Sequence, residues 1–393
     1  MEENNGKKNA LVVTTVASTL DHFCRNDIST LQKTYNIHVA ANFCLGSNTS
    51  LERVQKFKSE LIGKNVSVNH INMSRSPVSK ENLFAYQQLR NLINCYSFEI
   101  IHCHTPIAAM LVRLAARHAR KKGTKVIYTA HGFHFFKGAP LKNWLLYFPI
   151  EWLLSRYTDL LITINKEDYA RAKKYFKAEK VEIIPGVGID ISKFSRPLMD
   201  RLEKRKELGL PKDSLVVLSV GELNKNKNHE IVIKAISQLK DPRIHYVICG
   251  QGPLDNYLKI LSHKLGMENK ILFLGYRLDV EEIYKAADIF LFPSKREGLG
   301  LAALEAMASG LPIITSNIHG IVDYSVNGVT GFTCNPEDVD GFVNALLKLV
   351  NNKEIRDEIG KNNGRAVKKF DVSNSKRKME KIYSEVIINN ESG

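Results

Sequence analysis

Short apolar segments alternate with segments of helical pattern along this chain, and that alternation constrains the fold more than any other feature. Candidate strands lie at residues 10–15, 37–41, 67–71, 100–103, 125–129, 160–164, 181–184, 215–220, 245–249, 271–274, 289–293, 313–315 and 331–333. Strands that alternate with helices are typical of parallel sheets covered by helices on both faces. The sequence therefore predicts an α/β fold.

The length of the chain indicates more than one domain. At 393 residues it is too long for one ordinary domain and suits two of about 190 residues each. A segment rich in glycine and proline, residues 185–197, separates the two series of strands. Because such segments connect domains, we predict a first domain over residues 1–190 and a second over residues 191–372.

Two glutamates, Glu297 and Glu305, stand in a segment that predicts a strand, a turn and a helix. The apolar run 286–293 is followed by a Gly-rich turn and by an alanine-rich helix over about residues 301–309. The first turn of such a helix offers free backbone N–H groups and the positive end of the helix dipole to an anion. We therefore expect a phosphate group there, with the carboxylates on neutral hydroxyls of a sugar or ribose.

This segment resembles the E-x7-E signature of the retaining glycosyltransferases of family 4, which have the GT-B fold. The likeness includes Pro293-Ser294, Gly310-Leu-Pro-Ile-Ile-Thr315 and Asn327-Gly-Val-Thr-Gly331. It implies two Rossmann-like parallel-sheet domains that face each other across a cleft. In such proteins the first domain binds the acceptor and the second the nucleotide sugar, and the last helix, here residues 373–393, crosses back to the first domain.

The resemblance also implies roles for individual residues. Glu297 would contact hydroxyls of the donor sugar, and Glu305 the ribose of the nucleotide. His131 matches the family's His-Gly position and would meet the donor sugar, which makes His131, Lys227 and Glu297 the catalytic candidates. The other donor-binding candidates are Gly221, Lys225, Gly250, Gly252, Arg277 (near the base), Gly298, Leu299, Gly300 and Leu301.

One position departs from the family pattern. The family usually has Gly-Arg-Leu followed by a lysine, and the two cations neutralise the nucleotide diphosphate. This chain keeps Lys227 but has Glu222 in place of the arginine. A leaving diphosphate needs a positioned cation, so Lys227 is the first candidate for that role, and whether Lys225 replaces the missing arginine stays open.

The net charge of +15 lies mostly in the first half of the chain. It is concentrated where Arg113, Arg117 and Arg120 repeat at helical spacing and in residues 171–177. Such stretches are either solvated helix faces or sites for anionic lipid head groups or a diphosphate-bearing acceptor. Residues 141–154 contain both tryptophans and many leucines, which is typical of a helix that packs in a core or lies partly in a membrane interface.

The cysteines and histidines do not predict a metal site. The six cysteines are scattered without a C-x-x-C pair, so we expect free thiols in a reducing compartment. His102 and His104 flank Cys103 at a predicted strand end, without a third suitably spaced ligand. His104 is instead a candidate substrate contact, because open parallel sheets bind ligands at that edge. We expect no metal and no cofactor, with a UDP-sugar as co-substrate.

The resulting prediction is a hexosyl or N-acetylhexosaminyl transferase (EC 2.4) that uses a UDP-sugar, with retention, and a lipid-linked or oligosaccharide acceptor. The loop 131–140 resembles transferases that build capsule, exopolysaccharide or lipid-linked glycans in bacteria. No apolar stretch reaches the roughly 20 residues that span a bilayer. We therefore expect a cytoplasmic protein, held peripherally on an anionic membrane surface at the inner face of the cell membrane.

Three other functions are considered. A nucleotide-sugar epimerase of GT-B fold is the main alternative, and it would consume its sugar nucleotide without an acceptor. A nucleic-acid-binding protein would explain the basic half, but the sequence lacks a recognisable binding motif, so no nucleic-acid partner is expected. A catalytically silent partner of another transferase would explain Glu222.

Neither a G-x-G-x-x-G fingerprint nor a P-loop is present, which disfavours nicotinamide enzymes and NTPases.

Overall fold

The computed structural model describes residues 7–45, 49–196 and 199–391, which form two compact units. The first unit contains the described residues of Met1–Val187 and Ser375–Gly393, and the second is Gly188–Asn374. Each unit has one sheet whose strand pairs are all parallel. This confirms the predicted α/β class.

The first unit has a seven-stranded sheet in the order β3-β2-β1-β4-β5-β6-β7. Its strands are β1 (Asn9–Val16), β2 (Asn36–Asn42), β3 (Ser67–His70), β4 (Phe98–His104), β5 (Lys125–Ala130), β6 (Leu160–Thr163) and β7 (Lys180–Ile183). Its helices are α1 (Ala17–Phe23), α2 (Arg25–Leu31), α3 (Leu51–Ile62), α4 (Glu81–Cys95), α5 (Pro106–Ala115), α6 (Arg117–Arg120), α7 (Leu141–Ser155) and α8 (Lys166–Tyr175).

The second unit has a six-stranded sheet in the order β10-β9-β8-β11-β12-β13. Its strands are β8 (Leu215–Val220), β9 (Ile244–Cys249), β10 (Ile271–Gly275), β11 (Ile289–Phe292), β12 (Ile313–Ser316) and β13 (Gly331–Cys334). Its helices are α9 (Ile191–Ser195), α10 (Arg201–Glu207), α11 (His229–Leu239), α12 (Asp255–Lys264), α13 (Val280–Ala286), α14 (Leu301–Ala308), α15 (Val339–Val350) and α16 (Lys353–Ala366). Two 3₁₀ helices, His319–Asp323 and Val367–Phe370, precede the last helix, α17 (Val372–Glu391).

Every predicted strand is present, with bounds that differ by one or two residues at most. The apolar runs form strands because the sheets bury them almost completely: in β1, for example, all residues from Ala10 to Val16 are buried. Parallel strands covered on both faces have such continuous apolar sequences. The predicted helix over 301–309 is confirmed as α14.

Each sheet reverses its strand order at one place. In the first sheet β1 lies beside β4, and in the second β8 lies beside β11. The loops that leave two such strands run to opposite sides of the sheet, and the crevice between them is where open α/β sheets bind ligands. The loops after β8 and β11 contain Lys227 and Glu297, so the fold places both residues at such a crevice.

The basic repeat of Arg113, Arg117 and Arg120 is not one cationic face. Arg113 is 1% exposed, and its guanidinium forms an ion pair with Glu151 of α7 at 2.8 Å. Arg120 forms ion pairs with Asp159 at 2.8 Å and with Glu179. Of the three, Arg117 is the exposed one. Partners distant in sequence therefore neutralise two of the three arginines, and the choice between a solvated face and an anion site stays open for the rest of the stretch.

Helix α7 has one packed face and one exposed face. Trp144, Tyr147 and Phe148 pack against the core of the first unit. The opposite face carries apolar side chains that are exposed, and we call this set the leucine face: Leu141, Leu145, Leu146, Trp152 and Leu153. Leu145, for example, is 72% exposed. The core interpretation therefore applies to the packed face, and the membrane interpretation stays a prediction for the leucine face.

Two further expectations concern the thiols and the membrane. All six cysteines are free, as predicted. Among the described residues, no helix combines the length and the apolar character that a membrane crossing requires.

Candidate nucleotide-sugar site

An ion pair joins the two best candidates of the second unit. Lys227 Nζ lies 2.6 Å from Glu297 Oε1, and the two side chains are 22% and 14% exposed. Lys227 follows β8 and Glu297 follows β11, so the neighbouring strands bring them together although they are 70 residues apart. The ammonium also lies 4.9 Å from the centroid of the Phe292 ring. The pair gives this edge of the sheet one fixed cation and one fixed carboxylate.

Asparagines hold the two loops in place. Asn226 accepts a hydrogen bond from the backbone N–H of Lys295 and donates its side-chain amide to the carbonyl of Arg296. Asn228 donates its side-chain amide to the carbonyls of Pro293 and Pro336, at 3.1 and 2.8 Å. Sequence reasoning missed both residues, because their partners lie 65 to 108 positions away and no local pattern marks them.

The start of α14 is shaped to receive an anion. Gly300 has φ +91°, and a Cβ there would lie 2.5 Å from the Phe292 ring and 3.0 Å from the Tyr324 hydroxyl. The N-cap residue is Gly300, which has no side chain to cap the helix, so N–H groups of its first turn can donate to a ligand. Leu299 is buried and Leu301 partly exposed, so Leu299 can offer only its backbone to a ligand. Gly298 belongs to the same turn.

The hydroxyl of Tyr324 is a further site residue that sequence reasoning missed. It is buried and has no hydrogen-bond partner among the described residues. Burial raises its pKa well above the ordinary value, and the charge of Glu297 acts in the same direction. The group therefore stays protonated and can donate a hydrogen bond beside the start of α14. A lone tyrosine between two predicted strands gives no signal of this in the sequence.

Glu305 lies in the second turn of α14 and contacts Tyr284. The Tyr284 hydroxyl is 3.0 Å from Glu305 Oε2 and 2.9 Å from the carbonyl oxygen of Ala302. Burial raises the pKa of Glu305, while the hydrogen bond from Tyr284 and the charge of Lys193 lower it. The carboxyl group is partly exposed and is held in one orientation, as a contact with a ribose hydroxyl requires.

Three of the glycines predicted to bind the donor have a packing role in this structure. A Cβ at Gly250 would lie 1.8 Å from the carbonyl oxygen of Gly221, and one at Gly252 would lie 2.6 Å from that of Leu223. A Cβ at Gly221 would lie 3.4 Å from the side chain of Lys227. These glycines let the loops after β8 and β9 approach each other, and Gly221 leaves room for the lysine stem.

The other cations predicted for the donor differ in their surroundings. Arg277 donates two hydrogen bonds to the carboxylate of Asp279 and one to Glu207. These bonds raise the pKa of Arg277, so its charge is permanent but already paired. Lys225 is exposed, and neither Lys225 nor Glu222 forms an ion pair within the described part of the chain. The structure thus brings together Lys227, Glu297 and the start of α14, and leaves Lys225 outside that grouping.

His131 belongs to the first unit, directly after β5. Its Nε2 lies 3.1 Å from Nδ1 of His104, which ends the neighbouring strand β4. Burial lowers the pKa of His131 to about 4, so the ring is neutral at neutral pH. His104, a candidate substrate contact, is 1% exposed, and it lies between His131 and Asp27, whose Oδ2 is 3.7 Å from His104 Nε2.

One group of residues in the described ranges has the spacing of metal ligands. The donor atoms of Cys24, Asp27 and His104 lie within 4.8 Å of one another. Burial and the charge of Asp27 raise the pKa of the Cys24 thiol well above its ordinary value, which disfavours the thiolate that a metal requires. Asp27 and His104 also have hydrogen-bond partners in Tyr383 and His131. Asp27 and His104 therefore belong to a cluster of hydrogen-bonded side chains.

Comparison with known proteins places this geometry in a family. The family described as glycosyl transferases group 1 matches residues 200–366, and glycosyltransferase family 4 matches residues 31–193. The putative glycosyltransferase EpsD of Bacillus subtilis is 38% identical over 359 residues, covering 90% of each chain. An Escherichia coli UDP-Gal:alpha-D-GlcNAc-diphosphoundecaprenol alpha-1,3-galactosyltransferase is 31% identical over 326 residues, covering 80% of this chain and 84% of that protein.

Solved structures support the fold. HepE from Anabaena, solved with UDP and with UDP-glucose, superposes with a TM-score of 0.77 at 21% identity, over 96% of this chain and at least 99% of that one. The lipopolysaccharide glycosyltransferase WaaG gives a TM-score of 0.73 at 17% identity, over 95% and 99%. Both are similar in their whole architecture. This chain therefore belongs to the group 1 glycosyltransferases of family 4 and has the GT-B fold.

Proposed function

We propose that this glycosyltransferase moves a hexose or N-acetylhexosamine from a UDP-sugar to a lipid-linked glycan, with retention, in the synthesis of a bacterial surface polysaccharide. The observation that carries the proposal is the Lys227–Glu297 pair beside the uncapped start of α14. The name of the Escherichia coli relative states a UDP-sugar donor and a diphosphoundecaprenol-linked acceptor. HepE structures contain UDP and UDP-glucose.

The diphosphate of the donor suits the start of α14. Its oxygens would accept hydrogen bonds from the free N–H groups there and from the ammonium of Lys227. Because Lys227 Nζ already contacts Glu297 at 2.6 Å, the carboxylate limits where the ammonium can lie. Charge that develops on a leaving diphosphate is stabilised by a cation and dipoles fixed before the reaction.

The two carboxylates suit the hydroxyl groups of the donor. Glu297 accepts from Lys227 with one oxygen and has the other oxygen for a sugar hydroxyl. Glu305, in the second turn of α14, would accept a hydrogen bond from a ribose hydroxyl. The hydroxyl of Tyr284 would hold its carboxylate in position. In this scheme neither glutamate is a nucleophile.

Retention follows if the diphosphate leaves from the face at which the acceptor hydroxyl enters. A donor phosphate oxygen then takes the proton of that hydroxyl, so the protein supplies no covalent intermediate. Its contributions are orientation of the two substrates, stabilisation of the diphosphate and exclusion of water. No metal or other cofactor has a step in this scheme.

The leucine face suits a membrane that carries the lipid-linked acceptor. Its apolar side chains are flanked by cations, since Arg156 and Lys177 both lie within 6 Å of the Trp152 ring. A tryptophan with leucines and cations is the composition of segments that lie in the interface of anionic membranes. We propose that α7 holds the protein on the cytoplasmic face of the cell membrane.

Release of UDP from a panel of UDP-sugars, with and without membrane extract that contains lipid-linked acceptors, tests the function. We expect acceptor-dependent release from one donor, which also identifies the sugar. Consumption of a donor that does not depend on an acceptor would favour the epimerase instead. No turnover of any nucleotide sugar, including GDP- and ADP-sugars, would contradict a transferase and favour a silent partner.

A further inference from the structure

A chain of buried polar groups extends from His131 into the first unit. His131 Nε2 contacts His104 Nδ1 at 3.1 Å, and His104 Nε2 faces Asp27 Oδ2 at 3.7 Å. Among the described residues this buried nitrogen of His104 has no hydrogen-bond partner, and the Asp27 carboxylate is the charged group that it faces. On the other side, Asp27 accepts a hydrogen bond from Tyr383 of α17. The end of β4 and helix α17 thus converge on the Asp27 carboxylate of α2.

One arrangement of the hydrogen bonds beside this chain directs the Tyr383 proton to Asp27. Tyr383 OH lies 2.7 Å from His102 Nδ1, and His102 Nε2 lies 2.8 Å from the Thr129 hydroxyl. A neutral imidazole has one donor and one acceptor nitrogen. If Thr129 donates to His102 Nε2, then His102 Nδ1–H donates to Tyr383, and the Tyr383 proton is directed to Asp27. Every bond in this arrangement has a donor and an acceptor.

His104 and His131 are also neutral rings that each need one donor and one acceptor nitrogen. Burial lowers the pKa of each ring, so both are neutral and each has one N–H. If His104 Nε2 carries the proton, it points at the Asp27 carboxylate, and His104 Nδ1 accepts from His131 Nε2–H. Burial raises the pKa of Asp27 to about 7, so the group is ionised at pH 8. The opposite arrangement would then place the lone pair of His104 Nε2 against the carboxylate, at a cost in electrostatic energy.

We propose that Asp27 and His104 are positioning residues that fix His131 as the Nε2–H tautomer, so that His131 presents the bare Nδ1 to a hydroxyl group of the substrate. No described residue forms a hydrogen bond with Nδ1, and His131 is partly exposed. An acceptor nitrogen selects a hydroxyl over an ether or a cation at that position. The assignment of a substrate hydroxyl rests on the proposed function, whereas the tautomer does not.

Nitrogen NMR of the full chain with ¹⁵N-labelled histidine tests the tautomer without any substrate. Long-range ¹H–¹⁵N couplings separate the two tautomers, and a His131→Asn sample assigns the ring. At pH 8 we expect His131 with a protonated Nε2 and a bare Nδ1. A His131 that carries its proton on Nδ1, or that is charged at this pH, would overturn the proposal from the wild-type spectrum alone.

Two variants extend the test. Asp27→Ala removes the acceptor for His104 Nε2–H, so we expect the Nδ1–H tautomer of His131 to become populated. Cys24→Ala is the matched control, because Cys24 is buried beside Asp27 but does not belong to the chain of buried polar groups. It should leave the tautomer unchanged. One equivalent of bound metal in the wild type that is lost in Cys24→Ala would show a metal site and overturn the proposal.

Kinetics separate this inference from the proposed function. In acceptor-dependent UDP release, Asp27→Ala should lower kcat by about tenfold, as loss of one oriented hydrogen bond implies, with an unchanged KM for the donor. If His131 is the Nε2–H tautomer but the protein has no transferase activity, the proposed function is contradicted and the role of Asp27 and His104 is not. An altered tautomer in Asp27→Ala with unchanged kcat would contradict the contact with a substrate.

Discussion

At the scale of residues, the candidate site depends on one close contact that no sequence pattern contains. Lys227 and Glu297 were each predicted from the family resemblance, but their ion pair at 2.6 Å exists only because β8 and β11 are neighbours. Since the expected arginine is Glu222, Lys227 is the cation that the structure places beside the start of α14. Lys227 is therefore the residue expected to neutralise an anion bound there.

Replacing Glu305 tests the nucleotide half of the site. We expect Glu305→Ala to lower the affinity for UDP by about tenfold, because a charged hydrogen-bond acceptor for the ribose is lost. Tyr284→Phe should have a smaller effect, since it removes only the group that orients the carboxylate. Isothermal titration with UDP measures both, and Glu230→Gln, at an exposed ion pair, is the control. An unchanged affinity in folded Glu305→Ala would exclude the ribose contact.

At the scale of elements, the sequence predicted well what local pattern determines. The strands were placed within two residues because each is an apolar run that ends at glycine, proline or polar residues. The start of α14 was placed for the same reason. The role of Arg113 was not predictable, because helical spacing cannot show that Glu151 of another helix neutralises it. Asn226 and Asn228 were missed because they act on distant backbone.

Helix α7 makes the membrane proposal testable. We expect replacement of Leu145, Leu146 and Leu153 by glutamine to reduce binding to anionic vesicles by at least tenfold, because burial of a leucine side chain contributes about 2 kcal/mol. Cosedimentation with vesicles measures this.

The control for that experiment is the pair Leu83→Gln and Phe84→Gln. Both residues are exposed apolar side chains of α4, each 71% exposed, so general surface hydrophobicity is reduced without changing α7. Equal loss of binding in the control and in the α7 variant, or binding to anionic vesicles that is unchanged in the α7 variant, would exclude the leucine face as the docking surface.

At the scale of the whole molecule, the buried histidines are unevenly divided between the units. Burial lowers the pKa of His38, His102, His104 and His131 in the first unit, and of His229 and His245 in the second. For His102 the pKa falls from 6.5 to about 3, which corresponds to about 5 kcal/mol. A histidine whose pKa is lowered by folding contributes stability above the unfolded pKa of about 6.5. That contribution is lost as the pH falls toward the pKa in the folded protein.

Asp27 changes the folding stability with pH in the direction opposite to the histidines. Burial raises its pKa to about 7, so its contribution improves as the pH falls through that value. Above about pH 5, where carboxylates of ordinary pKa are still ionised, one carboxyl group does not compensate for four histidines. In that range we expect the first unit to lose stability before the second as the pH falls. Both tryptophans lie in α7 of the first unit, so tryptophan fluorescence reports on that unit alone.

Acid titration below pH 6.5 therefore has a defined outcome. The midpoint of the fluorescence change should lie at a higher pH than the midpoint of far-UV circular dichroism, which reports on both units. His131→Asn should move the fluorescence midpoint to lower pH, and His118→Gln, at an exposed histidine, should not. Coincident midpoints would contradict the unequal distribution.

The most direct test of the whole account is acceptor-dependent UDP release by Lys227→Met and Glu297→Gln beside the wild type. Methionine keeps a stem beside Gly221 but removes the charge that lies over the Phe292 ring. We predict that each variant keeps its circular dichroism spectrum and loses at least about 100-fold in kcat/KM, the loss expected for one preorganised charge contact. Lys234→Met, at an exposed ion pair, should retain full activity. A folded Lys227→Met that releases UDP at the wild-type rate would contradict the account.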